Sequence, residues 1–243
     1  MDSLAAWFKW LYEATGIKLT IFYDHYDRLR FFEGLGITLE LSAVVLVLSL
    51  VFGVIVTWLC GSSKMWLRRS MGVYIELFRN TPPLVQIYFF YFAIGPLLPK
   101  FEGEPILGSL GWAIVSLTLL ETAFTAEILR AGVEAVPKAT IEAAQALGYS
   151  RTQVLLRIIM PLALRVSMPA LNNNLVNLVK TTTLGYAIAV PELLHASSQI
   201  WSEQVNVPEM MIVLLITYIA IVGLINQVMH WLEKSFELPG YGQ

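Results

Sequence analysis

Leu41-Ser-Ala-Val-Val-Leu-Val-Leu-Ser-Leu-Val-Phe-Gly-Val-Ile-Val-Thr-Trp-Leu59 carries no charge, and Ser42, Ser49 and Thr57 are its only hydroxyls. A helix needs about 20 predominantly apolar residues to cross the hydrocarbon of a bilayer, and this run reaches that length. The rest of the chain keeps the same character. Of its 243 residues 56% are hydrophobic and only 14% are charged, with a mean hydropathy of +0.64. A soluble domain carries roughly 25% charged residues, and an unusually apolar core does not account for such a shortfall. The pattern predicts an all-α integral membrane protein.

Apolar stretches bounded by charges, Pro and Gly predict five transmembrane helices, near 37–59, 82–98, 109–131, 168–190 and 208–230. They form a single transmembrane domain over 34–235, with a connecting loop at 132–167, a segment 1–33 before it and a tail 236–243 after it. Lys and Arg in the connections set the orientation. Lys64, Arg68 and Arg69 lie in one connection, and Lys138, Arg151, Arg157 and Arg165 in the long one. The 99–108 connection has only Lys100, and 191–207 has none. The basic loops then face the cytoplasm, giving an N-out, C-in chain. Lys9, Lys18, Arg28 and Arg30 in the tail weaken this vote without reversing it.

The first 33 residues carry too many charges for a signal peptide. Trp7-Phe-Lys-Trp-Leu-Tyr12 reads either as an aromatic-anchored interfacial segment on the periplasmic side or as a short amphipathic helix packed on the protein itself. A net charge of −2 argues against a nucleic-acid partner. Cys60 is the only cysteine, so no internal disulfide forms. No second His or Cys stands near His195 at ligand spacing, and no metal site is expected. The chain has no Gly-x4-Gly-Lys-Ser/Thr phosphate loop; any ATP chemistry must come from another subunit.

The connection after the third span is the most informative. Pro137 suits the first turn of a helix, and Ala, Glu, Gln and Leu carry that helix to Leu147. Gly148 stops it in a left-handed conformation. Ser150 and Gln153 form a capping-box pair for a second helix, Tyr149 and Val154 occupy the staple positions, and Pro161 closes that helix from the far side. Two short helices joined by a rigid elbow are expected. Ala139, Ala143, Ala144 and Ala146 let a partner approach the first of them closely, and Glu142 can bond there. Upstream, Pro82 and Pro83 fit only in a first helical turn, with Asn80 or Thr81 as its cap. Arg79, Asn80, Thr81 and Pro82 then form a structural joint.

Glu142-Ala143-Ala144, Gly148, Ile158 and Pro161 resemble the E-A-A-x3-G-x9-I-x-L-P signature of ATP-binding-cassette import permeases, with Met160 in the place of Leu. Tyr74–Gln86 and Thr122–Arg130 are similar to blocks of the polar amino acid subfamily. The resemblance covers residues 34 to about 235. It implies a type I importer permease fold in a bacterial inner membrane, with the elbow as the coupling helix. Glu142, Ala143, Ala144 and Gly148 would meet the ATPase, which would bind the ATP and Mg, leaving no cofactor in this chain. The partners implied are two cytoplasmic ATPase subunits, a second permease, identical or paralogous, and a periplasmic or lipid-anchored solute-binding protein.

Ionisable residues deep in a span mark pathways or internal pairs. Lys180 falls near the middle of the expected fourth span, and Asn173, Asn177, Thr181 and Asn174 share its helical side. Glu121 lies at similar depth in the third span. Two readings stand. Lys180 and the amides receive a substrate carboxylate while Glu121 takes its ammonium, or Lys180 and Glu121 pair with one another or with a partner subunit. Relatives often carry an acid or amide directly after this lysine, where this chain has Thr181. Glu127 and Arg130, three apart, can pair on one helix face. The alternative to an ATP-driven importer is an ion-coupled secondary amino acid transporter, which would call for internal inverted repeats that the spans do not show. A membrane-embedded enzyme is disfavoured because no catalytic constellation is visible.

Overall fold

A computed structural model describes residues 2–101 and 103–235. The expected tail 236–243 lies outside the described residues. In chain order the helices are α1 (Asp2–Thr15), α2 (His25–Cys60), α3 (Met65–Asn80), α4 (Pro83–Tyr88), α5 (Ser109–Glu134), α6 (Lys138–Ala146), α7 (Arg151–Val154), α8 (Met160–Thr181), α9 (Leu193–Gln204) and α10 (Val207–Ser235). One small antiparallel hairpin, β1 (Lys100–Phe101) with β2 (Glu104–Pro105), interrupts them. Gly103 turns it at φ +88°, where glycine is unstrained.

Among the described residues, four helical stretches are long and apolar enough to cross a membrane: His25–Cys60, Ser109–Glu134, Arg151–Ile188 and Val207–Leu232. The expected second span is the shorter apolar helix Pro83–Leu97. The first span was expected from residue 37, with Glu40 as its one charge. Its helix begins a third of its length earlier because Asp24 caps it, the carboxylate accepting the N–H groups of Tyr26 and Asp27 at 2.8 and 3.0 Å. With 36 residues α2 is about 54 Å long, more than a bilayer's hydrocarbon thickness of about 30 Å.

Pro161, expected to end a helix, does not. It lies inside a continuous helix, and Pro96, within the expected second span, is likewise accommodated in the last turn before that helix ends at Leu97. A proline removes one N–H, and its ring crowds the carbonyl four residues earlier, here Arg157 and Phe92. Both carbonyls lie in wide π-turns, Leu155–Ile159 and Phe89–Ile94. Widening the turn moves the carbonyl away from the ring, so the helix passes through. The fourth span departs in the other direction. It tightens after Thr181 into a 3-10 segment, Thr182–Ile188. There the Thr182 hydroxyl donates to Val179 O and that of Thr183 to Lys180 O, both at 2.7 Å.

The chain forms two compact units. The first takes residues up to Val44, Pro83–Leu117 and Leu178–Gly223. Phe31, Leu41, Ile87, Trp112, Leu193 and Met210 are buried in it. Gly34 lets α2 meet α9: a Cβ there would stand 2.7 Å from the Ala196 Cβ. A strap runs across the α9–α10 turn. Lys18 donates from its backbone to Glu209 (3.1 Å) and from Nζ to Gln204 O (2.7 Å), while Asn206 donates to Lys18 O (2.8 Å). Arg30 grips Glu203 with both terminal nitrogens, at 2.8 and 2.7 Å.

The second unit takes Val45–Pro82, Thr118–Asn177 and the chain from Leu224 on. Small residues bring its helices together, as in membrane helix packing generally. A Cβ on Gly53 would collide with Thr125 at 2.6 Å, and one on Gly132 with the Ser167 hydroxyl and Ala163 O. Thr57 donates to Ala126 O (3.1 Å) and Ser167 to Ile128 O (3.2 Å), so α5 is joined to both α2 and α8.

Candidate functional site

The elbow is built almost wholly by local chemistry. Gly148 takes φ +84°. Its N–H donates to Gln145 O (3.0 Å), and that of Tyr149 to Ala144 O (3.2 Å). These paired bonds close α6 in a Schellman motif. Two residues on, Ser150 and Gln153 complete the capping box. The Gln153 N–H donates to the Ser150 hydroxyl (3.3 Å), and the Ser150 N–H to the Gln153 side-chain carbonyl (2.8 Å). Pro137 stands one position earlier than expected, as the residue before α6, its carbonyl accepting from Thr140 at 3.0 Å. Val136 and Val154 are buried on either side of the bend.

Ala139, Glu142, Ala143 and Ala146 are all exposed on α6, at the spacing of one helical face. Ala144 is not part of that face. It is buried within this chain, so one of the small residues expected to meet a partner packs inward instead. Leu147 (78% exposed), Leu155 and Leu156 add an uncovered apolar margin.

The joint before α4 reaches the third span. Asn80 closes α3 as its last residue rather than capping α4, and Pro83 takes the first position of α4. The Thr81 hydroxyl donates back to Leu77 O (2.7 Å). Arg79 lies over the Phe124 ring (5.5 Å) and 3.7 Å from Glu127. Glu127 holds Arg130 by two bonds of 3.0 and 2.6 Å, as its spacing of three predicted. Tyr74 donates to Leu119 O (2.6 Å). The two blocks Tyr74–Gln86 and Thr122–Arg130, separate in sequence, are thus packed together.

On α8, Asn173, Asn177 and Lys180 are exposed and Thr181 is half-buried. Lys180 stands in the last turn of the α-helix, where a cation complements the helix dipole. Among the described residues no ion pair includes it. Glu121 is buried, and its carboxylate accepts the Asn174 amide at 2.7 Å.

The family described as the binding-protein-dependent transport system inner membrane component matches residues 49–238. The chain belongs to this family. It is a multi-pass inner-membrane transport component, with the type I fold of ATP-binding-cassette importer permeases. It is 36% identical to the probable glutamine ABC transporter permease GlnP of Bacillus subtilis, over 67% of this chain and 72% of that one. It is 29% identical to the probable amino-acid ABC transporter permease PatM of Vibrio harveyi, over 83% and 89%. A crystal structure of an amino acid ABC transporter with histidines superposes with a TM-score of 0.78 at 25% identity, covering 86% of this chain and 94% of that one.

One polar site in this permease was missed from sequence. Glu192 is fully buried and caps α9, its carboxylate accepting the N–H groups of Leu194 and His195, both at 2.9 Å. The Tyr218 hydroxyl is 3.4 Å away, and the Leu193 N–H donates to the Thr38 hydroxyl at 3.0 Å. Burial pushes the carboxyl up to about 7, against the pull of its two backbone donors and Tyr218. The available signal was Pro191-Glu192 ahead of an apolar run, but Asp, Asn, Ser and Thr are the usual caps.

Proposed function

We propose that this chain is the permease subunit of an ATP-driven importer for polar amino acids or their derivatives, with its elbow as the part a cytoplasmic ATPase grips. The carrying observation is the exposed face Ala139, Glu142, Ala143 and Ala146, held rigidly against the left-handed turn at Gly148. Small side chains admit a close partner, Glu142 offers it a charge, and the bonded bend transmits a push without flexing. Two ATPases, carrying the ATP and Mg, dock on the elbows of two permeases, and an external solute-binding protein delivers substrate. The chain is read as N-out and C-in, so that the elbow lies in the cytoplasm. ATP binding closes the ATPases, and the permeases switch between inward-open and outward-open states as rigid bodies. The relatives named for amino-acid transport supply the substrate class.

Asn173, Asn177, Lys180 and Thr181 are assigned to the transport pathway. Their support is an exposed polar stripe on a helix of membrane-crossing length, where lipid contact would be unfavourable. Lys180 suits a substrate carboxylate. Glu121, buried and bonded to Asn174, is assigned to positioning that amide rather than to receiving an ammonium.

The test is uptake by the purified complex in vesicles. Uptake is expected to stop without ATP and to survive an uncoupler; the reverse pattern overturns the proposal. Lys180→Ala is expected to raise the substrate KM at least tenfold while the complex still assembles. Failure of assembly with unchanged KM in the residual complex overturns the pathway assignment.

A further inference from the structure

The segment before α2 lies outside the family match, which begins at residue 49. Its helix α1 is amphipathic. At about 100° per residue, Leu4, Trp7, Phe8 and Leu11 fall on one side with Trp10 and Tyr12 at its margins, and Lys9 and Glu13 fall opposite. The protein itself covers little of the apolar side. Phe8 stacks on Phe22 at 4.2 Å, but Trp7 and Trp10 remain 52% and 59% exposed, and Leu4 is exposed beside them. The first turns of α2 present Tyr26, Leu29 and Phe32 outward in the same manner.

The helix is nonetheless held in place. Gly16, at φ +79°, ends it with an N–H bond to Tyr12 O (2.8 Å). Two residues later the chain becomes the Lys18 strap on the α9–α10 turn.

We propose that α1 lies in the headgroup region of the bilayer, anchored by Trp7 and Trp10, and that the Lys18 strap ties the α9–α10 turn to that surface. Indole rings, with an apolar body and one N–H donor, favour the boundary between hydrocarbon and water. A helix with a large apolar side and a charged opposite side lies flat there. The surface is continuous with that of a membrane-crossing helix, since only residues 16–24 separate α1 from α2. Lys9 is the single basic residue of α1, so binding does not depend on anionic lipid.

The experiment uses the full chain in phosphatidylcholine vesicles, with Cys60→Ser as background. Single spin labels are placed through Leu4→Cys, Lys9→Cys, Glu13→Cys or Ala14→Cys. At 4 and 14 collisions with oxygen are expected to exceed those with an aqueous nickel complex several-fold, and at 9 and 13 the order reverses. Equal nickel access at all four positions overturns the proposal. So does protection from both reagents at 4 and 14, which would indicate a covering protein. For the tether, a label introduced by Val205→Cys reports on the α9–α10 turn, where Val205 is 86% exposed. Adding Trp7→Ser and Trp10→Ser is expected to increase its mobility, and an unchanged spectrum overturns the tether. Neither readout depends on transport, so failure here leaves the importer assignment standing.

Discussion

The first turns of α7 and α9 both leave backbone N–H groups without intrahelical partners, and the two are satisfied in opposite ways. At α7 a hydroxyl and an amide exchange bonds on the surface, through Ser150 and Gln153. At α9 one fully buried carboxylate, Glu192, takes two N–H groups at once. The exposed cap can be replaced by water if it is lost. The buried one is less readily replaced, because its carboxylate is fully enclosed and its donors are half-buried. A cap's energetic weight is therefore set by what would take its place as much as by its own bonds.

Glu192→Ala should break this contrast most visibly. Two half-buried N–H groups lose their acceptor, at a cost of about 3 kcal/mol, read as a large fall in the thermal midpoint of the detergent-solubilised protein. A fall no greater than that of Ser150→Ala would show the burial argument to be wrong. Next comes pH. An acid whose folded pKa lies above its unfolded value favours the protonated folded state. Stability from Glu192 is then complete below pH about 4.5 and is lost as pH rises through about 7, a change of roughly 3 kcal/mol. Glu192→Gln should flatten that slope in melts across the range; a variant with the same slope assigns it to another group.

Gly148→Val tests the elbow itself. A left-handed backbone costs a residue with a side chain about 1–2 kcal/mol, and no neighbour crowds a Cβ at this position, so the strain is purely conformational. The protein should remain in the membrane while ATP-dependent uptake is lost. Normal uptake would remove the elbow from the mechanism. The smallest effect expected is that of Ser150→Ala, about 1 kcal/mol, seen as faster amide exchange at Thr152 and Gln153 with little change in the global melt.

The same contrast explains what the sequence disclosed. The elbow was legible because Gly148, Ser150 and Gln153 act on neighbours within a few residues. Glu192 was not, because its importance comes from burial by α2 and by Tyr218 on α10, far away in the chain. The pairing of Arg79 with Glu127 was hidden for the same reason, whereas Glu127 with Arg130 was open to view. The long crossing helices announced themselves by composition, but the ends did not. Pro161 signalled a stop that a wide turn absorbed, and the threonines 181–183 tightened a helix whose hydropathy continued unchanged.

That wide turn at Leu155–Ile159 has a consequence for how α8 may vary. A π-turn holds one residue more than an α-turn, so the surplus residue is taken up within the turn itself. Everything downstream, Asn173 and Asn177 included, keeps the compass bearing of an uninterrupted α-helix one residue shorter. Deleting a single position there would relax the backbone and leave the amides close to their present side. The same deletion in the regular helix beyond it would swing them by about 100°.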